Sequence, residues 1–467
     1  MADDVRTRRS VAEIVALCAL VLLVLVVPIV GGRLTLGRLP LDAVTIALPL
    51  ALVAAYPFLR RLGTRRVPSL LFEVPALVFL AIALAGGVFA QDRAGAAMAL
   101  ARYAAYFALA GAVSAVCVRP ANRRILSWAV AGATAVTVGQ AAVQYLRPGQ
   151  AVASFGFSDA VAARVIGSFG NPNGYAEYLV VALAIAASLA LTERGARRWI
   201  AWVIVAGGLV AFALTYTRGS WLALLVGVLV ASAVVDIRWS VAFAAAGAAL
   251  LAVVPGGIAR LTSIFAAKGG ASVRLPLWHM ALNMIELHPI AGVGLGGYLK
   301  ALTAQVSATP AILPPGAEGV FTAHDSYLMV MAETGVPGGL AFVWLVTRVV
   351  RSCGMYAARL VRGSMDWLRH AAFTAGIIAF AANAVTDNTF QNPRGATLFW
   401  VLAGLMAANG ALAAAAPAVE PGGRFPWMWR LPATHGRVLV DSPVGAFVFG
   451  PGASDAPDLE PWAGVSR

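Results

Sequence analysis

The sequence predicts an all-α integral membrane protein of about twelve transmembrane helices with one large helical loop on its outer face. Three observations carry that fold class. The 467 residues are 60% hydrophobic and 12% charged, and that charged fraction is about half the value usual for soluble globular domains. Apolar runs of roughly 17 to 25 residues, long enough to cross a bilayer as helix, recur along the whole chain. The alternation in segments of about ten residues that marks a membrane β-barrel is not seen.

The first span is expected at residues 11–31. It follows a short charged segment, as a signal peptide would, but no small-residue cleavage site comes after it, so it reads as a retained span. Further spans are expected at 42–59, 69–90, 97–118, 125–145, 175–193, 199–216, 220–236 and 240–256. After a long polar stretch the last ones fall at 337–352, 371–387 and 396–414. The chain thus divides into spans with short loops over 1–256, an outer loop over 257–336, spans again over 337–414, and a Pro-rich tail over 415–467. Trp427 and Trp429 are the expected interface anchors of that tail.

A net charge of +14 would suit a nucleic-acid binder, but its placement excludes that class and leaves membrane lipids as the surrounding partner. Arginines gather on alternate connectors: Arg6, Arg8 and Arg9, then Arg60, Arg61, Arg65 and Arg66, then Arg119, Arg123 and Arg124, then Arg194, Arg197 and Arg198. The positive-inside rule puts these connectors and both termini in the cytoplasm. The long loop then faces outward, together with 147–174, Arg218 and 387–395. Cys18, Cys117 and Cys353 have neither metal-ligand spacing nor a pairing pattern.

Three outward pieces are more than connectors. Residues 164–174 are dense in Gly, Asn and Pro, which encode tight turns with exposed backbone N–H groups. The connector Tyr216-Thr217-Arg218-Gly219-Ser220-Trp221 is so short that it pins Arg218 at the mouth of a helical hairpin. In the long loop, 272–287 reads as a helix with Ser272 as N-cap and Pro276 in its first turn. Its polar face carries His279, Asn283 and Glu286, opposite Leu275, Leu282, Met284 and Ile285. A second helix near 324–333 is stopped by Gly335-Val336-Pro337-Gly338-Gly339.

This loop holds the richest set of titratable groups in the chain. His324, followed by Asp325-Ser326-Tyr327 at the outer rim of the membrane, suits general-base work, since imidazole titrates at about pH 6.5. A hydrogen-bonded surface histidine is the alternative, and the residues alone leave both open. His279 and His288 read as structural. Arg218 and Arg274 are the natural pair for an anion, because the guanidinium fork matches phosphate oxygens; snorkelling at the interface is the bland reading for both. Arg102 and Glu177 sit inside spans near their outer ends, and their roles stay open. The run from Gly292 to Gly297 imitates a dinucleotide loop but lacks the preceding strand and the later acidic residue. No metal-type Cys/His cluster and no Asp-x-Asp pair is present, so neither metal nor cofactor is expected.

Taken together, Arg164…Gly167-Ser168-Phe169-Gly170-Asn171-Pro172-Asn173, Thr217-Arg218-Gly219-Ser220-Trp221, Arg274-Leu275-Pro276-Leu277-Trp278 with His288-Pro289-Ile290-Ala291-Gly292-Val293-Gly294, and His324-Asp325-Ser326-Tyr327-Leu328 with Glu333-Thr334-Gly335 resemble the O-antigen ligase and O-antigen polymerase superfamily of bacterial envelope glycosyltransferases. The resemblance covers roughly residues 155–345. It implies a GT-C-like membrane fold with a periplasmic loop in the inner membrane, and metal-free, inverting transfer of a glycan from an undecaprenyl-diphosphate carrier to a glycan or lipid acceptor. Arg218 and Arg274 would grip the diphosphate, and His324 would be the base. Arg164, Asn171, Asn173, Glu177 and Asp325 are further candidates for substrate contact. The family more often has asparagine after the histidine; Asp325 would raise the basicity of His324. The acceptor is open between lipid A core (a ligase), a second lipid-linked glycan (a polymerase) and a protein. A transporter without chemistry is the reading from another class, and it would need polar groups through the full membrane depth.

Overall fold

The computed structural model describes residues 9–30, 34–36, 39–60, 70–147, 164–235, 237–254, 256–258, 271–308, 322–413, 438–440 and 447–449. Trp427 and Trp429 lie outside these residues. The chain forms two compact units, Met1–Ala416 and Pro417–Arg467. Within the second, the described residues are an antiparallel hairpin of Val438–Val440 and Phe447–Phe449.

The described residues of the first unit form helices and their connecting turns, with a small hairpin of β1 (Leu34–Leu36) and β2 (Leu39–Leu41). Every expected span coincides with a helix. In order these are α1 (Val11–Ile29), α2 (Ala43–Leu59), α3 (Glu73–Gly87), α4 (Arg93–Val116), α5 (Pro120–Leu146), α6 (Pro172–Thr192), α7 (Ala196–Leu214), α8 (Arg218–Val235) and α9 (Ile237–Val253). The loop contributes α10 (Ala271–Leu287) and α11 (Tyr298–Ala308), and the chain closes with α12 (Ser326–Ala357), α13 (Met365–Asn383) and α14 (Pro393–Ala413). Among the described residues, six helices are long and apolar enough to cross a membrane: α1, α4, α5, α6, α7 and α12. The protein is therefore a polytopic helical membrane protein.

The expectations for the loop helix α10 need correction. Helix α10 begins at Ala271, so Ser272 stands inside the helix instead of capping it. Its polar face is exposed as expected, but Leu275 and Leu282 are exposed too, and the buried side chains are Leu277, Met280, Ala281, Met284 and Ile285. The reason is its neighbour: that stripe packs on Met329 and Ala332 of α12 and on Tyr298 and Leu302 of α11. The helix that begins after His324 breaks at Gly335, as expected, before the following span. The two helices are numbered together as α12, on either side of the kink at Gly335 (φ 72°, ψ 177°).

Helix α6 is the centre of the unit, with nearly all of its side chains buried from Pro172 to Ala190. Helix α13 packs most extensively on α8 and α6. Without water to drive helices together in a bilayer, such contacts depend on close packing. Gly227 of α8 shows it: a Cβ there would lie 2.3 Å from the Ala375 carbonyl oxygen of α13. Aromatic rings fill the space between α3, α4, α12 and α14: Phe107 meets Trp400 edge-on at 4.9 Å, and Phe342 meets Phe390 at 5.1 Å. Each such pair adds about 0.5–1.5 kcal/mol beyond its burial.

At the end opposite the long loop, several of the orienting arginines are tied down. Arg119 pairs with Glu13 at 3.2 Å and Arg123 with Asp366 at 3.3 Å, while Arg124 pairs with Glu193. These pairs fasten the N-terminus of α5 to the ends of α1, α13 and α6.

Candidate functional site

The site is built where the starts of α6, α8, α12 and α14 meet the turn after α13. Asn171 caps α6, its side chain accepting the Asn173 N–H at 2.8 Å. That turn aims Asn173 across the site, and its amide nitrogen donates to Asp387 Oδ2 at 2.8 Å. On the other side, Asn173 Oδ1 accepts from an Arg164 terminal nitrogen at 3.0 Å. Arg164 also donates to Thr217 Oγ1 at 3.0 Å and to the Thr215 carbonyl at 2.7 Å. Arg164 thus joins the α5–α6 loop to the α7–α8 hairpin.

His324 completes the chain. Its Nδ1 lies 2.9 Å from Asp387 Oδ1. A carboxylate only accepts, so Nδ1 carries a proton and donates it, and in the neutral tautomer this leaves the lone pair on Nε2. The imidazole is 24% exposed and the Asp387 side chain 4%. His324 has φ of 51°, in the left-handed region that a residue other than glycine rarely adopts. Such a conformation costs on the order of 1–3 kcal/mol and persists only when its surroundings impose it.

Those surroundings are visible. Ser326 N–H donates to the Ala384 carbonyl at 2.8 Å, and its hydroxyl donates to the Asp387 carbonyl at 3.1 Å and accepts from Phe390 N–H at 3.2 Å. Tyr327 Oη donates to the Ala381 carbonyl at 2.9 Å. The turn carrying Asp387 and the turn carrying His324 are therefore sewn together on both sides of the pair.

Asp387 is held ionised by its partners. Burial pushes its carboxyl up, but the hydrogen bond and charge of His324, the positive charge of Arg274 and the Asn388 N–H outweigh that and hold it below the ordinary carboxylate value. Arg274, whose charge contributes to this, is a half-buried residue of α10. Arg218 is the first residue of α8. Its neighbour Gly219 is pressed on Thr386, where a Cβ would lie 2.4 Å from Oγ1, and Ser220 Oγ donates to Asn383 Oδ1 at 3.2 Å. Arg218 thereby stands beside the turn that supplies Asp387.

The remaining expected residues fall out differently. Asp325 does not serve His324. Its carboxylate caps α12, accepting the N–H groups of Tyr327 and Leu328 at 2.9 Å. Burial raises its pKa, and those two N–H groups partly offset the rise. The carboxylate on the histidine is Asp387, 63 residues further along. Glu177 is buried in α6 and accepts from Asn392 Nδ2 at 2.5 Å, in the field of Asp387. His279 and His288 are exposed. Arg102 is half-buried and acts electrostatically on Tyr106.

The glycine run is a packing element. Val293 N–H donates to the Ala332 carbonyl at 3.0 Å, Gly294 N–H to the Glu333 carbonyl at 2.9 Å, and Val336 N–H to the Pro289 carbonyl at 2.8 Å. Glu333, buried in α12, accepts the Tyr298 N–H at 3.3 Å. Gly292 has φ of 65°, and a Cβ there would lie 2.3 Å from the Glu333 carbonyl carbon. This clasp holds α10 and α11 on α12. Among the described residues, no group of three or more His, Cys, Asp or Glu is disposed to hold a metal ion.

Sequence reasoning missed Asp387 and Asn392. Both lie in Asp387-Asn388-Thr389-Phe390-Gln391-Asn392, a polar run between two apolar spans, and that run was the available signal.

Fold and site define a polytopic helical membrane protein whose polar groups converge at one end of its helices. Residues 203–343, from within α7 to beyond the kink of α12, match the family model described as O-antigen ligase. The resemblance to the O-antigen ligase superfamily thus holds over that stretch, and the family covers both O-antigen ligases and polymerases acting on lipid-linked glycans. No curated protein matches the chain.

Proposed function

We propose that the protein is a metal-independent, inverting glycosyltransferase of the O-antigen ligase type. It moves a glycan from an undecaprenyl-diphosphate carrier to a periplasmic acceptor, lipid A core, in lipopolysaccharide biosynthesis. The observation that carries this reading is the chain Arg164–Asn173–Asp387–His324, with Arg218 and Arg274 beside it at one end of the helices. The arginine bias between connectors orients that end toward the periplasm and both termini toward the cytoplasm of the inner membrane.

In this reading Arg218 and Arg274 bind the diphosphate. A cation at a helix N-terminus is disfavoured by the helix dipole, by about 0.3–1 kcal/mol, whereas an anion is favoured there. Arg218 opening α8 therefore suits a position next to a bound anion. The acceptor hydroxyl oxygen attacks the anomeric carbon, the bond from that carbon to the diphosphate oxygen breaks, and the electron pair leaves with the diphosphate. The hydroxyl proton passes to His324 Nε2, and Asp387 stabilises the resulting imidazolium. Attack from the face opposite the leaving group inverts the anomeric centre without a covalent sugar–enzyme intermediate.

The test is the product that accumulates in cells lacking the protein. A ligase leaves full-length glycan unattached on its carrier; single repeats on the carrier would mean a polymerase, and unchanged carrier-linked glycans would overturn transfer altogether. EDTA added to the purified protein should leave transfer unaffected.

A further inference from the structure

A second concavity lies outside the His324 site. It is a cleft of about 500 Å³ between the α3–α4 turn and the α10–α11 hairpin, within the usual 300–1,000 Å³ of small-ligand sites. Its lining is mixed. Phe89 and Ile290 are each 77% exposed at the rim, and Val88 next to Phe89 is exposed at 59%. Gln91, Asp92, Lys300 and Gln305 supply donors and acceptors, and Gln305 Oε1 is buried without a hydrogen-bond partner among the described residues.

That combination fits one chemistry. A sugar ring has an apolar C–H face, which packs on an aromatic ring, and hydroxyls that both donate and accept, which amides, a carboxylate and an ammonium can meet. The exposed apolar side chains at the rim suit a ligand that carries a lipid. The wall of the cleft is fixed to α12 through Val293 and Gly294 on Ala332 and Glu333. At 1.5 Å per residue, Ala332 lies about 10 Å along the helix from the end that carries His324, a separation that a short oligosaccharide bridges.

We propose that this cleft takes the saccharide head of a lipid-anchored acceptor and presents its far end to His324. The proposal rests on the glycosyl-transfer reading above for its role, though its binding test is independent of turnover. Ala304 lines the cleft and is exposed, so Ala304→Trp fills the space without disturbing the core. The exposed pair Gln91→Ala with Lys300→Ala removes polar groups instead. With protein in nanodiscs, equilibrium binding is measured for two labelled probes, rough lipopolysaccharide (lipid A core) and a polyprenyl-diphosphate-linked oligosaccharide presented as acceptor, and donor binding is measured in parallel.

One probe should bind the parent protein, weaken at least tenfold in Ala304→Trp and several-fold in the double variant, and leave donor binding unchanged. Which probe does so distinguishes the two acceptor sources. Neither probe binding the parent, both binding the variants as they bind the parent, or donor binding weakening in step would each overturn the cleft assignment. Acceptor binding that depends on the cleft in a protein that transfers no sugar would uphold the cleft and count against the transfer reading.

Discussion

Asp387 Oδ1 meets His324 Nδ1 at 2.9 Å across 63 residues of chain. The two turns that hold the pair are joined by the Ser326 and Tyr327 hydrogen bonds, so the contact is fixed from both sides. This geometry sets the tautomer of the neutral ring and leaves the lone pair on Nε2, as a base requires.

Asp387→Asn removes the charge while keeping a side chain that accepts from Asn173. Transfer should fall by about a hundredfold or more, since replacing the carboxylate that orients a general-base histidine costs up to about 10⁴-fold, with donor binding retained. Steady-state transfer in nanodiscs measures it, and normal turnover would make the pair a structural contact.

The lowered pKa of Asp387 has a stability signature. A group whose folded value lies below its unfolded one stabilises the fold above the unfolded value, about 3.9 for aspartate, and loses that contribution as pH falls through the folded value. The melting-temperature gap between wild type and Asp387→Asn should therefore not shrink between pH 7 and about pH 4, and should close only below it. A gap that closes near pH 6 would contradict the assignment.

Asp325 has the opposite sign. Its raised pKa means that its ionised form is held at a cost set by burial, so its contribution to stability is greatest below the ordinary aspartate value and is lost as pH rises through the folded value. Asparagine caps a helix as well as aspartate, whereas alanine loses about 0.5–2 kcal/mol. Asp325→Asn should melt at or above the wild-type temperature at pH 7, and Asp325→Ala clearly below it. Transfer by the asparagine variant should stay close to normal, because this carboxylate does not touch His324.

Arg218→Lys and Arg274→Lys keep the charge but lose the planar fork. Each lost charge-assisted hydrogen bond is worth roughly 1.5–3 kcal/mol, about ten- to a hundredfold in rate if felt in the transition state. Both variants should remain folded in the membrane with impaired transfer, and full activity in both would reduce these arginines to anchors.

The helices were legible because apolar runs of bilayer length have few other outcomes. So were the pinned Arg218, set by the short connector, and the break at Gly335, set by its glycines and proline. What escaped was everything decided by contacts distant in the chain. Asp325 neighbours His324 in sequence, yet the turn at His324 rotates it into its own helix, where two N–H groups claim it. Asp387 becomes a partner only because α13 packs on α8 and α6, which brings its last turn under the start of α12. The exposed Leu275 and Leu282 were misplaced for the same reason: the burying surface of α10 is set by α12, and periodicity alone does not say which stripe meets it.

The central claim is that His324 accepts the proton of the acceptor hydroxyl, and His324→Ala tests it most directly. With the purified variant in nanodiscs, donor binding and product formation are measured separately. Binding of the lipid-linked donor should be unchanged and transfer reduced by about a hundredfold or more. An alanine variant that turns over normally, or one that fails because donor no longer binds, would contradict it.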